Sequence, residues 1–430
     1  MKNLRGMSRF AAVAVALVAA ASQAKAVDMS VNGGRVNSIY GNTLTARQAN
    51  SFAGELFSDV MGASITVQRE FRKALPSIYS YSQTAHHQNR ADLGFASRDA
   101  LASAADGEAA IVSTVDPGMA RIYCPTSMCA PDSKWVMWDV PFMIKDTKKR
   151  KDNFLGYEQS VSGFATGISY MLGEASAIGL AVGYDYRKLD GRDLYHMRDR
   201  ADTFHAALFG GTNIGRVFLD GYAGYSRSWH RTERAAFDPG SVLNFDRNAA
   251  NFNDTVLSAG LKASYVWILP NDVRITPSAG IDYSHVRFSG ATEKGRNTAT
   301  GANSNTLLRA RKNTYDAAAI PLMVSLNRTF SWNRLCFGGE RSLWTPEVRG
   351  GYVPQIGAKR ASTRNTFVSG ANNGASFRAR STTMTDNYGT VGAGMKMKIR
   401  DKYIFAVDYD YAFSSKYQNH SLTAMYGVSF

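Results

Sequence analysis

The chain has 430 residues, of which 44% are hydrophobic, 11% aromatic and 20% charged, and carries a formal charge of +15. That composition supports a packed fold and excludes a disordered chain. Three cysteines without a CxxC pair exclude a disulfide-stapled miniature scaffold or a zinc module, and no apolar run beyond the extreme N-terminus reaches the roughly 20 residues of a spanning helix.

Residues 1–26 combine a basic start (Lys2, Arg5, Arg9), an apolar stretch from Phe10 to Ala21 and the small-x-small triplet Ala24-Lys25-Ala26. This is the pattern of a secretory signal peptide, cleaved near Ala26. A membrane anchor is the poorer reading, because about twelve apolar residues cover only ~18 Å of a ~30 Å hydrocarbon core. Cleavage removes four cations (Lys2, Arg5, Arg9, Lys25) and no acid, so the mature charge is 15 − 4 = +11.

Residues 27–133 read as a helical linker or minimal passenger segment. Within them, 46–75 is expected to form one amphipathic helix. Thr45 and Gln48 have capping-box spacing, Pro76 ends the run, and Ala49, Phe52, Ala53, Leu56, Phe57, Val60 and Met61 recur at three and four. Two placements compete: the lumen of a barrel, or a periplasmic hairpin with residues 83–105. His86 and His87 are adjacent and point apart, with no acidic or His framework beside them, so neither a metal nor a cofactor is expected. Cys124 and Cys129 lie in an oxidising compartment, where a disulfide is the natural reading and free thiols the other; Cys336 has no evident mate.

From Lys134 onward the period changes to two, the mark of β-strands. Tyr403, Phe405, Val407, Tyr409, Tyr411 and Phe413 alternate with Ile404, Ala406, Asp408, Asp410 and Ala412, giving one greasy face and one small or acidic face. Twelve such segments lie near 134–144, 157–172, 175–187, 201–212, 216–228, 253–269, 272–288, 313–330, 343–357, 383–399, 402–413 and 418–430. Their connections alternate between tight turns and long stretches (229–252, 289–312, 358–382), with 331–342 of medium length. The pattern is that of an all-β, twelve-stranded antiparallel transmembrane barrel with periplasmic turns and extracellular loops. A soluble sandwich shows the same alternation, but its strands are shorter than the 9 to 11 residues a tilted crossing needs. Trp135, Trp138, Trp229, Trp267, Tyr426 and Phe430 are placed to form interfacial girdles.

Chemistry-bearing groups are scattered. His196, His230 and His420 have acids or serines nearby but no nucleophile motif such as GxSxG, so no enzyme is expected. Asp185 and Asp408 are expected to face Arg side chains in the lumen. The outer loops sum to +16, more than the mature total, which makes Arg360, Arg364, Arg378 and Arg380 candidates for contact with lipopolysaccharide phosphates and gives no reason to expect nucleic acid. A monomer in outer-membrane lipid is expected.

The last strand, Asn419 to Phe430, carries His420, Leu422, Ala424, Tyr426, Val428 and Phe430 on one face and stops on an aromatic. It looks like the C-terminal assembly signal that the insertion machinery recognises in many outer-membrane barrels, with Leu422, Tyr426, Val428 and Phe430 as its residues. More specifically, residues 134–430 resemble the β-domain of autotransporters, the type V secretion family. The resemblance runs from Lys134-Trp135-Val136-Met137-Trp138 through Gly156-Tyr157-Glu158 and Ser162-Gly163-Phe164-Ala165-Thr166-Gly167-Ile168-Ser169-Tyr170 to Ile178-Gly179-Leu180-Ala181-Val182-Gly183-Tyr184. Leu44 to Leu75 resembles the helical linker of such barrels. The resemblance implies a bacterial outer-membrane translocator, of a minimal or lost passenger, since 27–133 holds no repeat of 20–50 residues. It also favours the lumen for the helix. A porin-like channel and a surface adhesin are the alternatives.

Overall fold

The structure, a computed structural model, describes residues 55–75, 135–149, 156–172, 176–191, 197–214, 216–237, 245–298, 300–332, 342–357, 362–369, 373–374, 376–380, 387–399, 403–415 and 417–429. The signal segment 1–26, residues 46–54, the hairpin partner 83–105, His86, His87, His196, Cys124, Cys129, Cys336, Arg360 and Phe430 lie outside these residues.

Among the described residues one α-helix, α1 (Glu55–Ala74), precedes twelve barrel strands: β1 (Trp135–Lys148), β2 (Tyr157–Met171), β3 (Ser176–Gly191), β4 (Arg198–Ile214), β5 (Val217–Phe237), β6 (Phe245–Tyr265), β7 (Val273–Phe288), β8 in two pieces (Asn313–Ala319 and Leu322–Arg328), β9 (Ser342–Val353), β10 (Tyr388–Ile399), β11 (Tyr403–Phe413) and β12 (Tyr417–Ser429). Each pairs antiparallel with the next, and β12 returns to β1, with Val136 opposite Ser429 and Lys148 opposite Tyr417. The sheet is closed, so no unpaired edge faces lipid. Extending the registers once round the barrel from Lys145 returns to β1 about 14 residues further on, a stagger that goes with strands tilted by about 40°.

All twelve expected segments are strands, with the faces the alternation assigns. Ile178, Leu180 and Val182 on β3, Leu257 and Leu261 on β6, and Phe405 and Val407 on β11 are exposed on the outer wall, while Ala177, Ala181, Ile404 and Ala406 are buried inside. The girdle expectation holds for Trp135, Trp229, Trp267 and Tyr426, all exposed. It fails for Trp138, which is buried and donates its Nε1 proton to Ser169 at 3.4 Å. Trp138 is three residues from Trp135, an odd spacing that puts the two on opposite faces of a strand.

The stretch 229–252, expected as a loop, is largely strand, since β5 runs to Phe237 and β6 begins at Phe245. Above the apolar band the outward residues become polar (Arg231, Glu233) while the ladder continues, and apolar patterning stops where hydrogen bonding does not. The loops 289–312 and 358–382 are likewise partly ordered. Ala291–Thr292, Leu308–Ala310, Ser362–Phe367 and Ser376–Arg380 form a second, four-stranded antiparallel sheet. Gly290, at φ +88°, makes the turn into it, a conformation that a side chain would strain. Arg234 at the top of β5 ties this sheet down, donating to both Glu293 oxygens at 2.6 and 2.7 Å and to the Thr306 carbonyl at 2.7 Å, all buried. The Asp246 carboxylate accepts from Asn297, Ser304, Thr306 and the Asn305 amide.

Candidate functional site

A barrel of about eight strands fills its interior with side chains and one of about sixteen holds a water channel. Twelve leave room for one helix ~10–12 Å across, and α1 occupies that space. Its 20 residues are ~30 Å long, the thickness of the hydrocarbon core. The helix ends where Pro76 was expected to end it, and its last turn carries Arg72 and Lys73.

The helix packs on the wall at two apolar levels. At the long-loop end Phe57, Val60 and Met61, all fully buried, meet Phe252, Val256 and Phe288, together with Ala291 and Ala310 of the outer sheet. The Phe57 ring stands edge-on to Phe252 with centroids 5.7 Å apart. At the other end Val67, Phe71 and Ala74 meet Trp138, Phe142 and Phe209. Each large side chain buried here contributes ~1.5–3 kcal/mol relative to exposure. The small and acidic lumen face inferred from β3 and β11 is therefore only part of the lumen. Large apolar groups line it at the two levels where the helix is apolar, so its stripe has a partner. Glycines on the wall allow this approach: a Cβ on Gly183 would stand 2.5 Å from the Phe71 ring, and one on Gly224 would stand 2.8 Å from the Gln68 amide.

Between the apolar levels lies a buried polar belt. Ser64 donates to Asp254, and Arg187 reaches Ser64 at 3.1 Å and Asp199 at 3.0 Å. The two ring nitrogens of His230 stand 3.1 Å from Asp199 and 3.1 Å from Asp254, and the ring stacks on Phe252 at 4.6 Å. One turn further, the Gln68 amide donates to Ser258 at 2.8 Å and its Oε1 lies 3.1 Å from His205 Nδ1; His205 also pairs with Asp185 and stacks on Phe71. A turn beyond, Arg72 pairs with Asp282 and lies 5.4 Å from the Tyr222 ring centroid. Residues 64, 68 and 72 thus put one helix edge against β3 to β7. On the other side Arg69 donates to Gln355 at 2.8 Å, and the wall carries Arg349, which reaches Asp408 at 2.6 Å and Asp410 at 2.8 Å. Burying so many charges is tolerable only because nearly every one is paired.

The order of these contacts fixes the helix direction. The chain enters β1 and leaves β12 at the tight-turn rim, so Phe57 lies toward the long-loop rim and Ala74 toward the rim where Trp135 begins the barrel.

Asp408 faces an Arg, as expected, whereas Asp185, opposite Thr203 on β4, pairs with His205 one diagonal step along that strand. His230, considered only as a catalytic candidate, is a structural hub. Among the loop cations, Arg187 and Arg234 are buried and paired, so the charge of the loops is not all on the outer surface. Arg364 and Arg378 face one another across the outer sheet, and both are exposed; Arg380 ends that strand opposite Ser362. Sequence reasoning missed Asp199, His205 and Asp254, although their signal was present: they occupy the phase opposite the greasy face.

The family model for the autotransporter β-domain matches residues 142–410. Outer membrane protein B of Rickettsia typhi is 20% identical over 399 residues, covering 91% of this chain and 22% of that protein. Outer membrane protein A of Rickettsia rickettsii is 24% identical over 188 residues, 41% of this chain and 8% of that protein. The chain therefore spans about a fifth or less of the length of these relatives. Among solved structures, the translocator domain of the autotransporter NalP from Neisseria meningitidis aligns with 77% of this chain and 98% of its own, at 14% identity and a TM-score of 0.49. The β-domain of the Bordetella autotransporter BrkA aligns with 69% and 100%, at 18% identity and a TM-score of 0.48. A closed twelve-stranded barrel and a family match across more than half of its length make this chain an outer-membrane protein of the autotransporter β-domain family.

Proposed function

We propose that the protein acts as an autotransporter-type translocator whose lumen helix marks the route by which the segment before residue 55 reaches the cell surface. The observation that carries this reading is the direction of α1: its N-terminal turn lies at the long-loop rim and its C-terminal turn at the rim where β1 begins. A segment that had stayed in the periplasm would have no reason to place its downstream helix in this sense through the barrel. On this reading the segment up to residue 54 is a minimal passenger or the remnant of one, exposed after signal cleavage near Ala26, and the barrel does no bond-making chemistry.

The porin-like alternative is disfavoured because α1 lies inside the barrel and packs on its wall at both ends. The interaction-protein reading draws support from Arg364 and Arg378, exposed side by side on the outer sheet, where polyanions at the surface would meet them.

The test is an epitope tag placed between residues 30 and 50 of the full chain and probed with antibody on intact cells. Labelling of intact cells is expected. Labelling only after the outer membrane is opened would refute the reading.

A further inference from the structure

Three cross-strand rows on the outer wall of β3, β4 and β5 differ in charge logic. In the uppermost, Asp190 lies opposite Arg198 and Arg198 opposite Glu233, an alternation of sign. Asp190 accepts from Lys188 at 2.9 Å and Arg198 at 3.0 Å. In the lowest, Tyr186 lies opposite Asp202 and Asp202 opposite Trp229, the aromatic positions of the outer membrane boundary. Below them β3 and β4 are apolar, with Val182, Leu180 and Ile178 on β3 and Leu208 on β4, while β5 carries a further exposed cation, Arg227, 5.6 Å from the Trp229 ring centroid.

The middle row is all cationic. Lys188 lies opposite Arg200, and Arg200 opposite Arg231, all three on the outer face and exposed. Directly opposed same-face residues are about 5 Å apart at Cβ, and like charges so placed repel. Lys188 leans up to Asp190; Arg200 and Arg231 make no contact with an acid among the described residues. The row is flanked by hydrogen-bonding side chains, Ser160 on β2 opposite Lys188 and Asn251 on β6 opposite Arg231, both exposed on the same face. With the strand tilt it climbs about 3 Å per strand, so it stays within a narrow band just above the aromatics, at the depth of lipid headgroups.

We propose that this row is a binding site for the phosphate groups of an anionic lipid of the outer leaflet, with Lys188, Arg200 and Arg231 as its cations and Ser160 and Asn251 as flanking donors. Phosphate relieves the like-charge repulsion that the register imposes. Arginine suits it because its planar fork meets two phosphate oxygens at once. The apolar strip directly below takes the acyl chains of the same molecule, which is why a lipid rather than a soluble anion is the ligand. The inference rests on the membrane placement alone and is independent of translocation.

The test uses the full-length protein in detergent micelles, titrated with bisphosphorylated lipid A and followed by native mass spectrometry. Controls are dephosphorylated lipid A and competing inorganic phosphate. The K188Q/R200Q/R231Q triple variant is expected to bind at least tenfold more weakly, while R216Q at the opposite rim matches the unaltered protein. Heat-modifiable migration reports that each barrel is folded. Should the triple variant fail that check, R200Q alone is expected to lose several-fold and R200K to retain binding. Unchanged binding in the triple variant or in a folded R200Q, equal binding of dephosphorylated lipid A, an equal loss in R216Q, or displacement by inorganic phosphate alone would each overturn the proposal.

Discussion

The helix should leave the lumen far more often when Phe57 is cut back to alanine. Phe57 is fully buried, standing edge-on to Phe252 and tilted against Phe288 at 6.1 Å. Replacing such a ring removes its transfer free energy and leaves a cavity, about 3–5 kcal/mol for a buried Phe. The wall on that side is β-ladder and cannot collapse inward, so the value belongs near the middle, about 4 kcal/mol. The barrel hydrogen bonds do not involve α1, so almost all of that falls on docking of the helix rather than on the sheet. At about 1.4 kcal/mol per factor of ten, the undocked population rises roughly 10³-fold. Hydrogen exchange of the amides of residues 57–74, measured by mass spectrometry on the folded protein, reads this opening directly. Exchange in α1 should accelerate by two to three orders of magnitude while β3 to β6 are unchanged. If F57A leaves the helix amides as protected as before, the apolar contact at the long-loop rim does not hold the plug, and the reasoning fails.

Gly183→Val should act at the other end of the helix, because its Cβ collides with the Phe71 ring; about 1–3 kcal/mol of docking is lost, and in a double-mutant cycle F71A should recover most of it, whereas additive losses would argue against a direct clash. Deleting residues 55–75 should open a conducting pore in planar bilayers where the full chain is quiet; an equally silent deletion would mean that the outer sheet alone closes the mouth. Arg234→Ala leaves Glu293 buried without its bidentate partner, a loss of about 3–5 kcal/mol, and should make residues 291–310 protease-sensitive while the barrel keeps its heat-modifiable migration; unchanged cleavage would show that the pair does not hold the outer sheet. Removing Phe430 should lower the amount of folded barrel in outer-membrane fractions, and normal levels would count against an assembly signal built from Leu422, Tyr426, Val428 and Phe430.

Strand number, strand order and which side chain faces lipid were legible because a barrel wall has period two and lipid imposes it without exception. The alternation Ile178, Leu180, Val182 states the outer face of β3 before any neighbour is known. Local chemistry likewise marked the end of α1 at Pro76 and the turn at Pro270-Asn271, where Asn271 has φ 60°. Three things needed the tertiary structure. The lumen partners of α1 are distant in sequence, by 123 residues for Ser64 and Arg187 and 190 for Gln68 and Ser258, and no local period encodes such pairs. The outer sheet joins strands from two different loops through registers that only the closed barrel brings together. The cationic row depends on which residue of β3 stands beside which of β4 and β5. Sequence gives the phase of each strand, but the stagger between strands is set by closure of the barrel, and stagger decides whether Lys188, Arg200 and Arg231 are neighbours or strangers.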